Sequence, residues 1–231
     1  MTSAAALSPA LALSASNPTG AVSVSCALRH RGVITSLHAS TGQRGDLATL
    51  AQQLCQQQGL TPAALAELRI DLGPGSYTGL RVAVTLVRFL HHYAGIPVLA
   101  TDTLSLMARC SVASACTQRL RPVLDARMGR YHTGTFRYRN DQLQALAEPV
   151  ALRPAAWLDS LAAGDLVIAP AALGHVIAAE LQARGVEWRA ATAVTAEALF
   201  LPGLALQAHD AASLQPQYLV ASYAEDAAEP R

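Results

Sequence analysis

The 231-residue sequence contains no lysine: all seventeen basic residues are arginine, and sixteen acidic residues leave a net charge of +1. A Walker A loop, which ends in Lys-Ser/Thr, is thereby excluded. So is the broad basic field of a free-standing nucleic-acid binder, and any nucleic-acid role would run through a partner. Charged residues make up only 14% of the chain and aromatics 5%. No run approaches the ~18 uninterrupted apolar residues of a membrane span. Residues 1–13 are apolar but lack a basic leader, so they read as a terminus entering a first strand rather than a secretion signal. The four cysteines, Cys26, Cys55, Cys110 and Cys116, are dispersed without C-x-x-C spacing. They read as thiols in a reducing, cytoplasmic compartment, not as a disulfide framework or a zinc site.

Catalytic constellations are equally sparse. His91 and His92 are adjacent, so on a helix their side chains diverge by ~100° and cannot form an i,i+4 metal pair. His132, His175 and His209 have no acidic or cysteine neighbour in sequence, and no nucleophile elbow is present.

What is there begins with 52% hydrophobic residues, enough for one large domain or two small ones, and with alanine at about a fifth of the chain. The most structured stretch is 70–107. Residues 68–72 form a short apolar run that suits a buried strand; Gly73, Pro74, Gly75, Ser76, Tyr77, Thr78 and Gly79 form a glycine turn; and Leu80, Val84, Val87 and Leu90 then recur at helical spacing until Gly95 and Pro97. Residues 98–100 supply a second strand. Two roles fit the turn. Its backbone N–H groups at a helix mouth can hold a phosphate or carboxylate, or its glycines let the helix pack closely on the strand. It is not the dinucleotide fingerprint, because three residues rather than two separate Gly75 from Gly79 and no suitably placed acid precedes Asp102.

The remaining pattern predicts strands at 11–14, 21–28 and 32–39 and a helix capped by Asp46 with a stripe of Leu47, Leu50, Ala51 and Leu54. It predicts a further helix from about 102 to 114 and a boundary near 115–121. Beyond it come strands at 123–124 and 130–138 around Asp125 to Gly129, helices at 154–161 and 174–184, strands at 166–169 and 187–190, and a helical 195–207 interrupted at Pro202. Asp125 with Arg127 can either fix its turn or bind a substrate. Unaided, these patterns reach a two-domain α/β protein without a convincing active site.

The run Gly73-Pro74-Gly75-Ser76-Tyr77-Thr78-Gly79-Leu80-Arg81-Val82, followed by Gly95-Ile96-Pro97-Val98 and Thr103-Leu104, resembles the signature of the TsaB (YeaZ) proteins. These are the accessory subunits of the bacterial machinery that places threonylcarbamoyl on adenosine beside the tRNA anticodon. Asp125-Ala126-Arg127-Met128-Gly129-Arg130-Tyr131 is similar to the family's second signature, and residues 11–24 and Gln217-Tyr218-Leu219 to its opening and closing segments. The chain departs from the family where an acidic residue and Thr usually end strand one, for it has Ser14-Ala15, and at Arg44-Gly45-Asp46.

The resemblance implies two tandem ribonuclease-H-like domains of the actin/Hsp70/sugar-kinase type, with mixed sheets and flanking helices. One lobe would span 1–110, completed by a C-terminal helix at about 203–220, and a smaller one 115–202. It implies no intrinsic catalysis, a TsaD-like catalytic subunit and a TsaE-like ATPase as partners, a possible homodimer when alone, and tRNA contact only through the complex. ATP and a metal would be held by the partner subunits and no cofactor by this chain. The partner interface is expected on helices 46–58 and 80–93, at Leu50, Leu54, Val82, Thr85, Phe89 and Tyr93. The competing class is an actin-like ATPase, a small-molecule kinase or a glycoprotease-like peptidase. Ser14 in place of an acid speaks against the first two.

Overall fold

The computed structural model describes residues 8–20, 22–40, 46–126 and 128–219. Two mixed sheets organise them. In the first, β1 (Ala10–Ser14), β2 (Val22–His30) and β3 (Val33–Ser40) form an antiparallel meander, while β4 (Glu67–Asp71) and β5 (Val98–Thr101) extend β1 in parallel. The second repeats this plan with β6 (Leu120–Asp125), β7 (Tyr131–Arg139) and β8 (Gln142–Leu152) as the meander and β9 (Leu166–Ala169) and β10 (Glu187–Ala190) as parallel additions. The strand orders 5-4-1-2-3 and 10-9-6-7-8 correspond one to one, and β11 (Gln207–His209) adds antiparallel to β5.

Among the described residues five α-helices complete the layers: α1 (Leu47–Gln57), α2 (Tyr77–Ala94), α3 (Thr103–Ser111), α4 (Pro154–Asp159) and α5 (Ala171–Ala183). β1 is the central strand, and all five of its residues are buried because both of its faces are covered. Leu11 and Leu13 point to the side where α1 and α2 pack, with Leu47, Leu54, Val84 and Val87. Ala12 and Ala27 point the other way, and their small side chains let α3 approach. Leu104, Met107, Leu120, Phe136 and Ile168 share that second cluster, so α3 and the short 3₁₀ helix Ala196–Phe200 bind the two sheets into one body. The outer face of the second sheet packs Trp157 of α4 and Ile177 and Leu181 of α5. An alternation α/β/α/β/α results.

Local chemistry sets the element ends. Asp46 caps α1 by accepting from the Ala48 amide, and Asp102 caps α3 by accepting from the Ser105 amide. Ser76 accepts from the Gly79 amide, so α2 starts at Tyr77, earlier than the apolar periodicity from Leu80 indicates.

Two expectations need correction, and one strand went unread. No helix closes the chain among residues 203–219: Pro202, Gly203 and Pro216 interrupt helical propagation, and β11 pairs with β5 instead. The helix expected over 195–207 shrinks to Ala196–Phe200 for the same reason. β8, eleven residues long, has no counterpart in the sequence reading. Its composition, QLQALAEPVAL, carries little β-branched signal, and its pairing with β7 alone defines it.

Candidate functional site

Two features carry the residues singled out by sequence: an exposed helix face and a cleft between the sheets. α2 buries Leu80, Ala83, Val84, Val87 and Leu90 against the first sheet. Its opposite side exposes Val82 (47%), Phe89 (62%) and Tyr93 (69%), with Thr85 also exposed and Leu86 half-buried. Phe89 and Tyr93 stack with ring centroids 6.2 Å apart. A shallow groove of about 420 Å³ runs between Arg81, Val82, Thr85, Leu86 and Phe89. Large apolar side chains held in water at consecutive turns form a patch of the kind found at interaction sites.

α1 does not contribute as expected. Leu54 is fully buried, because Leu47, Ala51 and Leu54 at i, i+4 and i+7 all turn toward the sheet, and Leu50 is half-buried at the margin of the same cluster. Leu54 therefore belongs to the core and not to a partner surface. Leu54→Ala is expected to cost about 2–5 kcal/mol of stability, read by urea denaturation. A loss below ~1 kcal/mol would contradict this placement.

The cleft, of about 1350 Å³, brings the two signature stretches face to face. Pro74, Gly75, Ser76, Tyr77 and Thr78 line one wall, and Asp125, Ala126, Gly129, Arg130 and His132 line the other. Arg127 lies outside the described residues, as do Arg44 and Gly45. Asp125 and His132 are neighbours because β6 and β7 pair Leu124 with His132. Burial lowers the His132 pKa, and the nearby Asp125 carboxylate opposes that effect. This juxtaposition spans a hairpin, so spacing along the chain concealed it.

Packing anchors the glycine turn. Gly73 adopts φ +106°, a region open to glycine, and its carbonyl accepts from the Thr103 amide at 2.8 Å. Gly75 lies so close to Ser16 that a Cβ would stand 2.2 Å from the Ser16 Cβ. The closing segment straps the turn, since the Gln217 amide donates to the Leu72 carbonyl at 2.7 Å and Tyr218 packs on Tyr77 with centroids 5.2 Å apart. Arg81 donates to the Tyr77 hydroxyl at 2.7 Å and lies over its ring.

Beneath the turn sits a group that the sequence reading passed over. Asp71, at the end of β4, has no exposed surface. The parallel β1/β4 register aligns Leu13 with Ile70, which places Ser14 beside it. Ser14 donates to Asp71 Oδ2 at 2.9 Å, Ser16 donates to the same oxygen, and Thr103 donates to Ser16 at 2.8 Å. Oδ1 has no hydrogen-bond partner among the described residues. Burial pushes the Asp71 carboxyl up to about 6, while the Ser16 and Ser14 hydroxyls pull the other way. The one available signal was an acidic residue at the end of an otherwise apolar strand.

Among the described residues no three His, Cys, Asp or Glu side chains cluster as metal ligands. The four cysteines are free, Cys26 and Cys55 buried and Cys110 and Cys116 half-buried. No helix among the described residues is long and apolar enough to cross a membrane.

Mixed sheets flanked by helices, a cleft between them and an exposed apolar helix face define an α/β protein. The model of the family described as TsaD, tRNA N6-adenosine threonylcarbamoyltransferase, matches residues 28–228, and the chain belongs to this family. The Bacillus subtilis (strain 168) tRNA threonylcarbamoyladenosine biosynthesis protein TsaB is 32% identical over 106 residues, 46% of this chain and 45% of that protein. Its Escherichia coli K12 namesake is 24% identical over 106 residues, 43% of this chain and 46% of that protein. The matches thus span about half the length of these curated relatives. Among solved structures, a Pseudomonas aeruginosa protein described as similar to peptidase YeaZ superposes with a TM-score of 0.72 at 22% identity, covering 93% of this chain and all of the other. YeaZ from the same organism superposes with a TM-score of 0.71 at 22% identity over 92% of this chain and all of the other.

Proposed function

We propose that this chain is the non-catalytic partner subunit of a TsaD-type enzyme, in the assembly that forms N6-threonylcarbamoyladenosine beside the tRNA anticodon. The observation that carries this reading is the exposed stripe Val82, Phe89 and Tyr93 on α2, an apolar surface left uncovered by the described residues. Kinship with the B. subtilis protein, named for threonylcarbamoyladenosine biosynthesis, supplies the pathway. In this reading the chain is cytoplasmic and binds no cofactor alone. A TsaE-type ATPase joins, ATP and metal are held by the other subunits, and tRNA is reached only through the complex. The repeated strand plan of the two sheets supports two tandem ribonuclease-H-like lobes, divided near residues 110–115. The glycine turn then acts indirectly, by fixing the start of α2 on the sheet.

Phe89→Glu tests the interface. Because Phe89 is exposed, the variant is expected to keep its circular dichroism spectrum and thermal midpoint. Its affinity for the TsaD-type subunit of the same organism, measured by calorimetry, is expected to fall at least ~30-fold, since the partner would bury an unpaired charge. Unchanged affinity would remove this face from the interface. Absence of binding by the wild-type chain would overturn the assignment.

A further inference from the structure

The outer face of the second sheet carries a lattice of cationic and amide side chains. Along β7, Phe136 and Tyr138 turn into the core between the sheets, so Arg137 and Arg139 turn outward, ~7 Å apart along the strand. On β8, Leu143 turns into the same core and Gln142 and Gln144 turn outward. The register pairs Arg139 with Gln142 and Arg137 with Gln144, so the four form a two-by-two grid, and all four are exposed. On the other flank, β6 pairs Leu120 with Phe136, which brings Arg119 into line with Arg137 and Arg121 into line with Thr135. Arg119 and Arg121 share one carboxylate: Arg119 donates to both oxygens of Asp165 at 2.7 Å, and Arg121, buried and bonded to Ser160, lies 3.9 Å away. Arg137 and Arg139 form no ion pair among the described residues. Nor do Asp141 and Glu148, the acidic residues of the β7–β8 hairpin, which lie in its turn and at its register shift.

We propose, building on the partner-subunit reading, that this lattice receives the phosphate backbone of an RNA, in that reading the tRNA. Arg137 and Arg139 make the contacts, and Arg119 and Arg121, with one carboxylate between them, add positive potential beside them. Arginine and glutamine side chains are regular holders of nucleic-acid phosphates, whereas a protein partner needs an apolar interface core that the four grid side chains do not supply. Two unneutralised guanidiniums make a weak site, so the lattice adds to affinity that other subunits provide, in keeping with a chain of net charge +1. The lattice and α2 lie on opposite outer layers with both sheets between them, so it stays open when α2 is covered.

Fluorescence anisotropy with a labelled, unmodified tRNA transcript tests this on the complex of the full chain with the TsaD-type subunit, at ~0.1 M salt. The Arg137→Ala/Arg139→Ala variant is expected to keep the circular dichroism spectrum, thermal midpoint and TsaD-type affinity of wild type, because both side chains are exposed and unpaired. Its complex is expected to hold the tRNA at least about fivefold more weakly, and the slope of log affinity against log salt to fall by about 1–2, the loss of two phosphate contacts. Arg137→Lys/Arg139→Lys, which keeps both charges, is expected to stay within about threefold of wild type. Unchanged affinity and slope in the alanine variant would overturn the proposal, as would a lysine variant as weak as the alanine one. Displacement of the labelled tRNA by poly-L-glutamate as readily as by unlabelled tRNA would overturn it in favour of an acidic protein segment. If the wild-type chain binds no TsaD-type subunit, the partner-subunit reading fails by itself. The chain alone at ~0.02 M salt then decides: the alanine variant is expected to bind the tRNA at least about fivefold more weakly than wild type, and equal or absent binding by the two overturns the lattice.

Discussion

Replacing Asp71 by Asn is expected to stabilise the protein at pH 7.5 and to have little effect near pH 4. The carboxyl has no exposed surface, and burial raises its pKa from 3.8 to about 6. Below pH 3.8 the group is protonated in both the folded and the unfolded chain, and its contribution is fully present. As pH rises, the unfolded chain releases the proton first and the folded chain must hold a proton or bury a charge, so stability falls until pH passes about 6. At ~1.4 kcal/mol per pKa unit the loss levels off at about 3 kcal/mol. Asn keeps the shape and an acceptor for the Ser14 and Ser16 hydroxyls without the ionisation. Its amide donors require those hydroxyls or a water as acceptors, which reduces the net gain to about 1–3 kcal/mol. Urea denaturation of both proteins between pH 4 and 8 checks this. A wild-type minus variant difference that stays constant with pH would show that Asp71 does not titrate in this window.

Asp71 also illustrates what a linear reading conceals. Ser14, Ser16, Asp71 and Thr103 come from four separate segments and meet only because β1 and β4 pair in parallel and α3 starts beside them. That strand one ends in Ser14 and not in an acidic residue was visible in the sequence. That a carboxylate stands on the adjacent strand, within hydrogen-bond reach of Ser14, requires the register. The Asp125–His132 neighbourhood was hidden in the same way, by a hairpin whose partners are six or more residues apart.

Local signals were legible wherever one residue type has one structural use. Asp46 caps the helix it precedes, and the run Leu80, Val84, Val87 and Leu90 faces the sheet. Such signals fail where tertiary pairing overrides propensity. β8 is a strand because β7 offers it an edge, and β11 because β5 does, although neither composition favours that state. Leu54 failed for a different reason: an apolar stripe on α1 specifies that one face is buried but not which neighbour buries it, and the sheet claims Leu47, Ala51 and Leu54 together.

Gly75→Ala is expected to cost about 3 kcal/mol, more than most single substitutions, although Gly75 is exposed at the cleft. The added methyl would stand 2.2 Å from the Ser16 Cβ and 2.8 Å from its Cα, so no rotation of a flexible side-chain end relieves the clash. Either the end of β1 or the glycine turn must move. Ser16 is tied down by its bonds to Asp71 and Thr103, and the turn by the Thr103 amide on the Gly73 carbonyl and the Gln217 amide on the Leu72 carbonyl. Whichever side yields, buried hydrogen bonds around Asp71 are stretched. α2 begins two residues beyond Gly75, so a displaced turn also re-aims Val82, Phe89 and Tyr93. Thermal and urea denaturation measure the stability loss. Binding to the TsaD-type subunit, compared at a temperature where both chains are folded, is expected to weaken about tenfold or more, because a shifted helix loses complementarity along its whole face. Ser76→Ala is the control, since it removes only the cap bond to the Gly79 amide and is expected to cost about 1 kcal/mol with partner affinity preserved. If Gly75→Ala were no more destabilising than Ser76→Ala, the turn would have slack the observed contacts do not allow, and its role in placing α2 would have to be abandoned.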